Sequence, residues 1–486
     1  MAGSADKNRS RASIGMTPTY KRCIMKEFSG YHSEWNLGSP GGWDYQRLTQ
    51  IIGKAVWHLL EKHMPCNLDL DFDHPLLFPV EGFTRMLVEA HRCRAGRNAG
   101  FIAIIAEEET LDTVTENKNL AQRLNSIEGI TGRLAAPQEL ELKNGAVCLE
   151  GRPVSVIFMD FNTDVLLSLH RKHGLDPLIQ AVRENRVINP RGTEPINIKS
   201  MFEVITGPLH THFHREIVRR TPWTRQFFDR SATGPKGEHI KDIIEWTRTH
   251  WNDLVLKPER GYSGKGVKVG GINSGADEAI KEALREGGYI VQEKIPVEQW
   301  SEDMPEIDEK SETVALNLRQ TDFRSLFGPE GLFGFLGRYG GVPTNVGSGG
   351  GVQSLAVIPD ELDMRETVQK MNETILTLDY RTVYKAVSAQ KKMAVDHEFT
   401  YLHGPIRMAL RPRLVSRGQL VSLEKYCREL WLDCLTLEKM WRAGELDSMV
   451  KIEEEELEIA RAQPWNGGPA IIASDGLFNF GAARVS

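Results

Sequence analysis

Between residues 254 and 270 the chain reads LVLKPERGYSGKGVKVG, a stretch whose residue types could handle a polyphosphate. Glycines let backbone N–H groups approach oxygens closely, and a lysine beside them adds a point charge. The apolar run 254–256 has the length of a buried strand and delivers Lys257 and Pro258 into Gly261, Tyr262, Ser263, Gly264, Lys265 and Gly266. Residues 267–269 read as the returning strand, so the whole predicts a hairpin with a glycine tip. The spacing is neither the Walker pattern, which needs Lys and Ser or Thr directly after its last glycine, nor the dinucleotide fingerprint, whose glycines open a helix. Alone, such a cluster is equally the mark of an ordinary surface hairpin.

Other residues of chemical interest are spread on both sides of this hairpin. Lys199 stands at the start of a helical stretch, 198–205, where a solvated lysine is the plain expectation. HTHFH sets His210, His212 and His214 at alternate positions. On a strand they would share a face and could ligate a metal, but no carboxylate partner is legible nearby, and a polar loop or helix surface is the better reading. Asp322 and Arg324 alternate on a strand-like run, 321–326, and another, 333–339, bears Arg338. A second glycine-rich turn, PTNVGSGGG at 343–351, contains Asn345 and is too closely framed by apolar runs to be a linker. RMALRPRLVSR gathers Arg407, Arg411, Arg413 and Arg417, which could bind an anion but more simply form a solvated face.

The elements that must position these groups belong to a chain of 486 residues, long enough for two or three domains. Its 60 basic and 66 acidic residues leave a net charge of −6, which argues against the domain-scale basic excess of a nucleic-acid binder. Six scattered cysteines without CxxC spacing indicate reduced thiols and a cytoplasmic setting rather than a disulfide framework. No apolar run reaches transmembrane length, and residues 1–19 read as a disordered tail.

Helical spacing runs through 45–64. From residue 79 the pattern alternates: helix 82–93, strand 101–106, helix 117–128, strand 154–161, helix 176–184 and strand 187–189. That order predicts an α/β layer with a largely parallel sheet. Helix 276–286 and strand 289–292 follow the glycine hairpin, and the chain from 359 onward is mainly helical, most clearly at 364–378 and 423–441; the acidic run 453–456 reads as solvated helix.

Taken in order, Lys199, VLKP with GYSGKGV, YIVQEKI, TDFR and GRYGGVPTNVGSGGG resemble the ATP-grasp ligases. They are most similar to the circularly permuted ATP-grasp proteins, a grouping that includes the ligase half of glutathionylspermidine synthase. The resemblance is firm over 254–351 and faint back to 185. It implies an α/β fold with a tail at 1–19, an N-terminal α/β domain at 20–196, an ATP-grasp core at 197–357 and a helical C-terminal region at 358–486. Lys199 and Lys257 would hold the ATP phosphates under a flap formed by Gly261, Ser263, Gly264 and Gly266. Gln292, Glu293, Lys294 and Ile295 would meet adenine, Glu298 the ribose, and Asp322 with Asn345 would bind Mg2+. Arg338 and Arg324 would stabilise the transferring phosphoryl group.

The implied activity is ATP-dependent joining of a small-molecule carboxylate to an amine through an acyl phosphate, with neither nucleic acid nor membrane as partner. A small-molecule phosphotransferase and a catalytically silent ATP-binding protein are the alternatives. One departure bears on the metal: the glutamate that many members carry two residues before the asparagine is Pro343 here, and Glu330 is the nearest substitute in the sequence.

Overall fold

The computed structural model describes residues 30–65, 67–95, 100–261, 264–295, 301–341, 344, 349–399 and 406–478. It is a mixed α/β protein in which three sheets, of six, four and seven strands, carry the candidate residues.

The six-stranded sheet is the predicted parallel layer. Gly132–Ala135, Phe101–Ile105, Arg152–Met159 and Val187–Ile188 run parallel, and a hairpin of Leu140–Lys143 and Ala146–Leu149 extends it. Phe101–Ile105 is buried at every position, as a strand covered on both faces must be. Ile102, Ile104, Val156 and Phe158 pack against helices Pro79–Ala95 and Thr115–Asn125 through Phe83, Leu87, Leu120 and Leu124. Ala103, Ile105, Ile157 and Met159 pack against Thr163–His173 and Asp176–Arg183 through Leu166, Leu178 and Val182. The carboxyl ends of these strands therefore open together at one edge.

The four-stranded sheet is antiparallel, in the order Lys268–Val269, Leu254–Pro258, Tyr289–Glu293, Thr224–Phe227. Period-two alternation divides its side chains. Leu254, Leu256, Tyr289, Val291 and Phe227 pack beneath helices Ile243–Thr249 and Ala276–Glu286, which leaves Lys257 and Gln292 on the opposite face. The predicted glycine hairpin is thus formed, and its glycines have the backbone only glycine adopts easily, with φ of +121° at Gly261 and +72° at both Gly264 and Gly266.

The seven-stranded sheet draws strands from remote parts of the chain. Its order is Gly30–Asn36, Ile472–Phe478, Thr313–Gly328, Gly331–Gly340, Gly351–Gln353, Arg407–Met408, with Ser301–Asp308 paired to the first half of the long strand. Helix Arg417–Arg442 covers one face through Leu423, Tyr426, Cys427 and Leu430 against Phe323, Phe327 and Phe335. Helix Trp43–Leu60 covers the other through Leu48, Ile52 and Val56 against Leu336 and Val352. That helix is capped from a distance: the Glu116 carboxylate accepts from the backbone N–H groups of Gly42, Asp44 and Tyr45 at 2.9, 2.8 and 3.0 Å.

Two sequence readings are resolved by this architecture. HTHFH forms a short 3-10 turn, His210–His212, followed by His214 at the start of helix Arg215–Arg220, so the three imidazoles do not share a strand face. His214 Nδ1 instead lies 2.6 Å from Asp433 Oδ1. The arginine run is solvated only in part: Arg407 and Arg417 are exposed, but Arg411 and Arg413 are fully buried. Arg411 binds Glu302 at 2.7 Å and Asn372 at 2.8 Å, and Arg413 donates to the Asp322 carbonyl at 3.2 Å. Their charges brace strands rather than await an anion. Among the described residues no helix is long and apolar enough to cross a membrane.

Candidate active site

On the long hairpin Thr313–Gly328 and Gly331–Gly340, Asp322 stands directly across from Arg338, and Arg324 stands across from Asp475 of the C-terminal strand. Asp475 is in turn across from Glu34 of the first strand. Residues facing each other across antiparallel strands share a face, so sheet geometry alone assembles this group. Arg338 grips Asp322 with two bonds of 2.6 and 2.9 Å and reaches Asp475 at 3.2 Å. Arg324 grips Asp475 with two bonds of 2.6 Å and donates to the Gly41 carbonyl at 2.9 Å. The Thr344 hydroxyl donates to Asp322. Burial acts to raise the Asp475 carboxyl, but Arg324 and Arg338 outweigh it and hold the group well below the usual carboxylate range. Burial likewise acts against the Arg338 charge, and Asp322 with Asp475 outweighs it in the other direction.

The two lysines converge on the same edge. Lys257 Nζ donates to Gln292 Oε1 at 2.7 Å and to the Ser33 carbonyl at 3.3 Å. Lys199, buried rather than solvated, donates to the Gly261 carbonyl at 2.9 Å and lies 3.2 Å from Glu34 Oε1. Burial lowers Lys257 to about 8, an effect that Glu34 opposes and Lys199 reinforces. Glu34 and Asp475 thus sit between a lysine pair beside the glycine turn and an arginine pair on the large sheet. The arrangement gathers four cationic side chains whose charges are held in place by carboxylates.

Several candidate residues stand outside this cluster. The Gln292 side chain orients Lys257 and also donates to Thr224 at 2.9 Å, so it is engaged with protein groups. Glu293 alternates to the opposite face of its strand, and the Lys294 N–H donates to the Asp253 carbonyl at 2.8 Å. Glu293, Lys294 and Ile295 line a cavity of about 460 Å³ together with Tyr31, Trp246 and His250. Ser263, Glu298, Pro343 and Asn345 lie outside the described residues. Glu330 does not join Asp322. It stands at the hairpin turn, ion-paired with Arg85 at 2.9 Å, and the strand separates it from Asp322 by about 20 Å at ~3.3 Å per residue.

Glu34 and Asp475 were not singled out in the sequence. Neither belongs to a glycine-rich or charged motif, and only the pairing of strands 151 residues apart brings Asp475 to Arg324. Among the described residues no three carboxylate, histidine or cysteine groups approach closely enough to hold a metal. Asp322, held by Arg338 and the Thr344 hydroxyl, is a single carboxylate of the kind that suits magnesium, which is ordinarily bound by one or two carboxylates and by phosphate oxygens rather than by an all-protein cage.

No protein-family model matches this chain, and no curated protein matches it. Among solved structures it is similar to a RimK domain ATP-grasp protein from Sphaerobacter thermophilus DSM 20745, at 14% identity over 48% of this chain and 71% of that one, with a TM-score of 0.27. It is also similar to the D-cycloserine synthetase DcsG, at 11% identity over 75% and 98% of the two chains, with a TM-score of 0.29. A third similar structure is D-alanyl-alanine synthetase A from Vibrio cholerae O1 biovar eltor, at 11% identity over 46% and 67%, with a TM-score of 0.23. Likeness at this level carries no argument about activity.

Proposed function

We propose that this protein is an ATP-dependent ligase of the ATP-grasp kind, joining a carboxylate to an amine through an acyl phosphate. The observation that supports it is the convergence of Lys199, Lys257, Arg324 and Arg338 around Glu34 and Asp475, beside a glycine turn. Lys199 and Lys257 hold the phosphates, and the turn at Gly261–Gly266 supplies backbone donors. Arg338 and Arg324 neutralise the charge on the transferring phosphoryl group. Magnesium, when bound to Asp322, would supply further charge neutralisation at the phosphates.

The substrate carboxylate attacks the γ-phosphorus, the bond to the β,γ-bridging oxygen breaks, and ADP leaves. The free amine then attacks the acyl carbon, sheds a proton, and expels phosphate that keeps one carboxylate oxygen. Positioning and fixed charge suffice for both steps, so no serine or cysteine nucleophile is needed. The experiment is turnover of an oxygen-labelled panel of carboxylic acids with amines, read by mass. ADP with labelled phosphate is the expected result. AMP and pyrophosphate, or unlabelled phosphate during amide formation, would end the acyl phosphate reading; phosphate retained on the substrate would mark a phosphotransferase, and no turnover at all a silent binder. In the same assay Lys257→Ala should lose ATP affinity or turnover while staying folded.

A further inference from the structure

The first strand, Gly30–Asn36, carries one residue more than the strand it pairs with. Gly30, Tyr31 and His32 face Phe478, Leu477 and Gly476, and Glu34, Trp35 and Asn36 face Asp475, Ser474 and Ala473, which makes Ser33 the extra residue of a β-bulge. Such bulges leave the extra residue out of the ladder, and they are over-represented next to active sites, where they re-aim a group. Regular alternation would turn residues three apart to opposite faces. Here His32 and Trp35 both lie against Phe202, at ring separations of 5.3 and 4.6 Å, while Glu34 between them reaches Lys199 at 3.2 Å. The bulge also reaches Lys257. The Ser33 carbonyl accepts from Lys257 Nζ at 3.3 Å, beside Gln292 Oε1 at 2.7 Å. An ammonium has three N–H donors, so two fixed acceptors set its direction and leave the third donor for a phosphate oxygen.

His32 anchors the bulge through a chain of hydrogen bonds whose direction follows from its ends. The Thr221 hydroxyl gives its one proton to the Ile217 carbonyl at 2.7 Å, so in its contact of 2.7 Å with His32 Nε2 the ring must donate. His32 Nδ1 then accepts from the Tyr426 hydroxyl at 2.5 Å, and Ser474, which faces Trp35 across the strands, donates to the Tyr426 oxygen at 3.3 Å. Burial, with the charge of Arg220 adding to it, pushes the His32 ring down to about 3, so the neutral form that this chain requires is the one present at neutral pH. The ring thereby ties the bulged strand to the end of helix Arg215–Arg220 and to helix Arg417–Arg442 in a single orientation. Its stacking partner Phe202 belongs to helix Met201–Thr206, which Lys199 precedes by two residues.

We infer that Ser33 is a positioning residue: its carbonyl, left out of the ladder by the bulge, aims the Lys257 ammonium at the nucleotide phosphates, and the hydrogen bonds of His32 keep the bulge in place. The inference rests on the ligase reading above and adds the backbone device that orients one of its phosphate-holding lysines. Deleting Ser33 removes that device without breaking the strand, because His32 and Glu34 then face Gly476 and Asp475 as consecutive pairs and alternation leaves their side chains on the faces they already occupy. A bulge of no use to the site would be lost without effect on binding. A bulge that aims Lys257 cannot be, since the buried ammonium loses one of its two acceptors and with it both direction and support for its charge.

The test is calorimetric binding of the non-hydrolysable ATP analogue AMP-PNP with magnesium, and of inorganic tripolyphosphate, to the full chain, beside a urea melt of each variant. Deletion of Ser33 should weaken both probes by about tenfold, the low end of what a hydrogen bond to a charged group is worth, with an unfolding midpoint no lower than that of the wild type. Ser33→Ala keeps the carbonyl and should change either affinity by less than about twofold. Tyr426→Phe and Thr221→Val, which touch neither lysine, should each weaken binding by about threefold or more through the loosened His32. Unchanged binding in the deletion, or an equal loss in Ser33→Ala, overturns the inference and leaves the ligase reading standing. If the deletion does not fold, the two His32-partner variants decide: a lower midpoint with unchanged affinity means that the network is structural only and overturns the inference. A wild-type chain that binds neither probe overturns the phosphate site and this inference with it. Binding that the deletion weakens, with no ADP released from any pair of acid and amine, upholds the inference and sinks the ligase.

Discussion

Asp475→Asn removes the carboxylate that holds both arginines of the candidate site, and its consequences can be worked from the geometry. Asp475 holds Arg324 through two bonds of 2.6 Å, one on each oxygen, and Arg338 at 3.2 Å; the amide has one acceptor oxygen instead of two and no charge, while Arg338 keeps its grip on Asp322. One buried positive charge is left without its partner, a change that typically destabilises by about 3–5 kcal/mol. The folded-state pKa of Asp475 is depressed, so its stabilisation is present above the unfolded value of about 3.9 and is lost only as pH falls through the folded value. The gap between wild type and variant should therefore be flat from about pH 5 to pH 8 and close in stronger acid. ATP should narrow the gap at neutral pH, because its phosphates restore negative charge to guanidinium groups that the variant leaves bare. Urea unfolding followed by tryptophan fluorescence, with and without ATP, measures both effects. A loss under about 1 kcal/mol, or a gap indifferent to ATP, would refute the view of Asp475 as a placeholder for phosphate.

Three further outcomes are expected. With Lys257 near 8 in the free protein, ATP binding at pH 9 should take up about 0.9 proton, and affinity should fall by up to about tenfold per pH unit above 8; calorimetry in two buffers of different ionisation heat checks this, and Lys257→Met should abolish the uptake. Glu330→Gln should leave the magnesium dependence of turnover unchanged, since that side chain sits at the hairpin turn with Arg85, whereas Asp322→Asn should raise the magnesium requirement. Gly270→Ala should destabilise by at least about 3 kcal/mol in a thermal or urea melt, because its Cβ would fall 1.6 Å from the Trp251 carbonyl oxygen, a backbone atom with nowhere to move.

The chain itself determined those features that depend on neighbours in sequence. Alternating apolar runs separated by amphipathic stretches dictated the parallel layer, because a strand such as Phe101–Ile105 has no polar face to offer water. The glycines at 261, 264 and 266 announced a turn with left-handed backbone, and the strands on either side of it are the ones expected. Lys257 was legible as a candidate from the glycines beside it, Asp322 and Arg324 from their alternation on one strand face, and Arg338 from the ATP-grasp resemblance. What only the tertiary structure decided was which of them meet, and through whom. Asp475 reaches Arg324, and Glu34 reaches Lys199, by way of strands contributed by opposite ends of the chain. The arginines of RMALRPRLVSR read as solvated until Glu302, far away in sequence, proved to be the charge that lets Arg411 be buried. Local sequence carries periodicity and backbone preference, but the environment of a charge, and so its exposure, its partners and its proton affinity, is set by residues that approach only when the sheets are assembled.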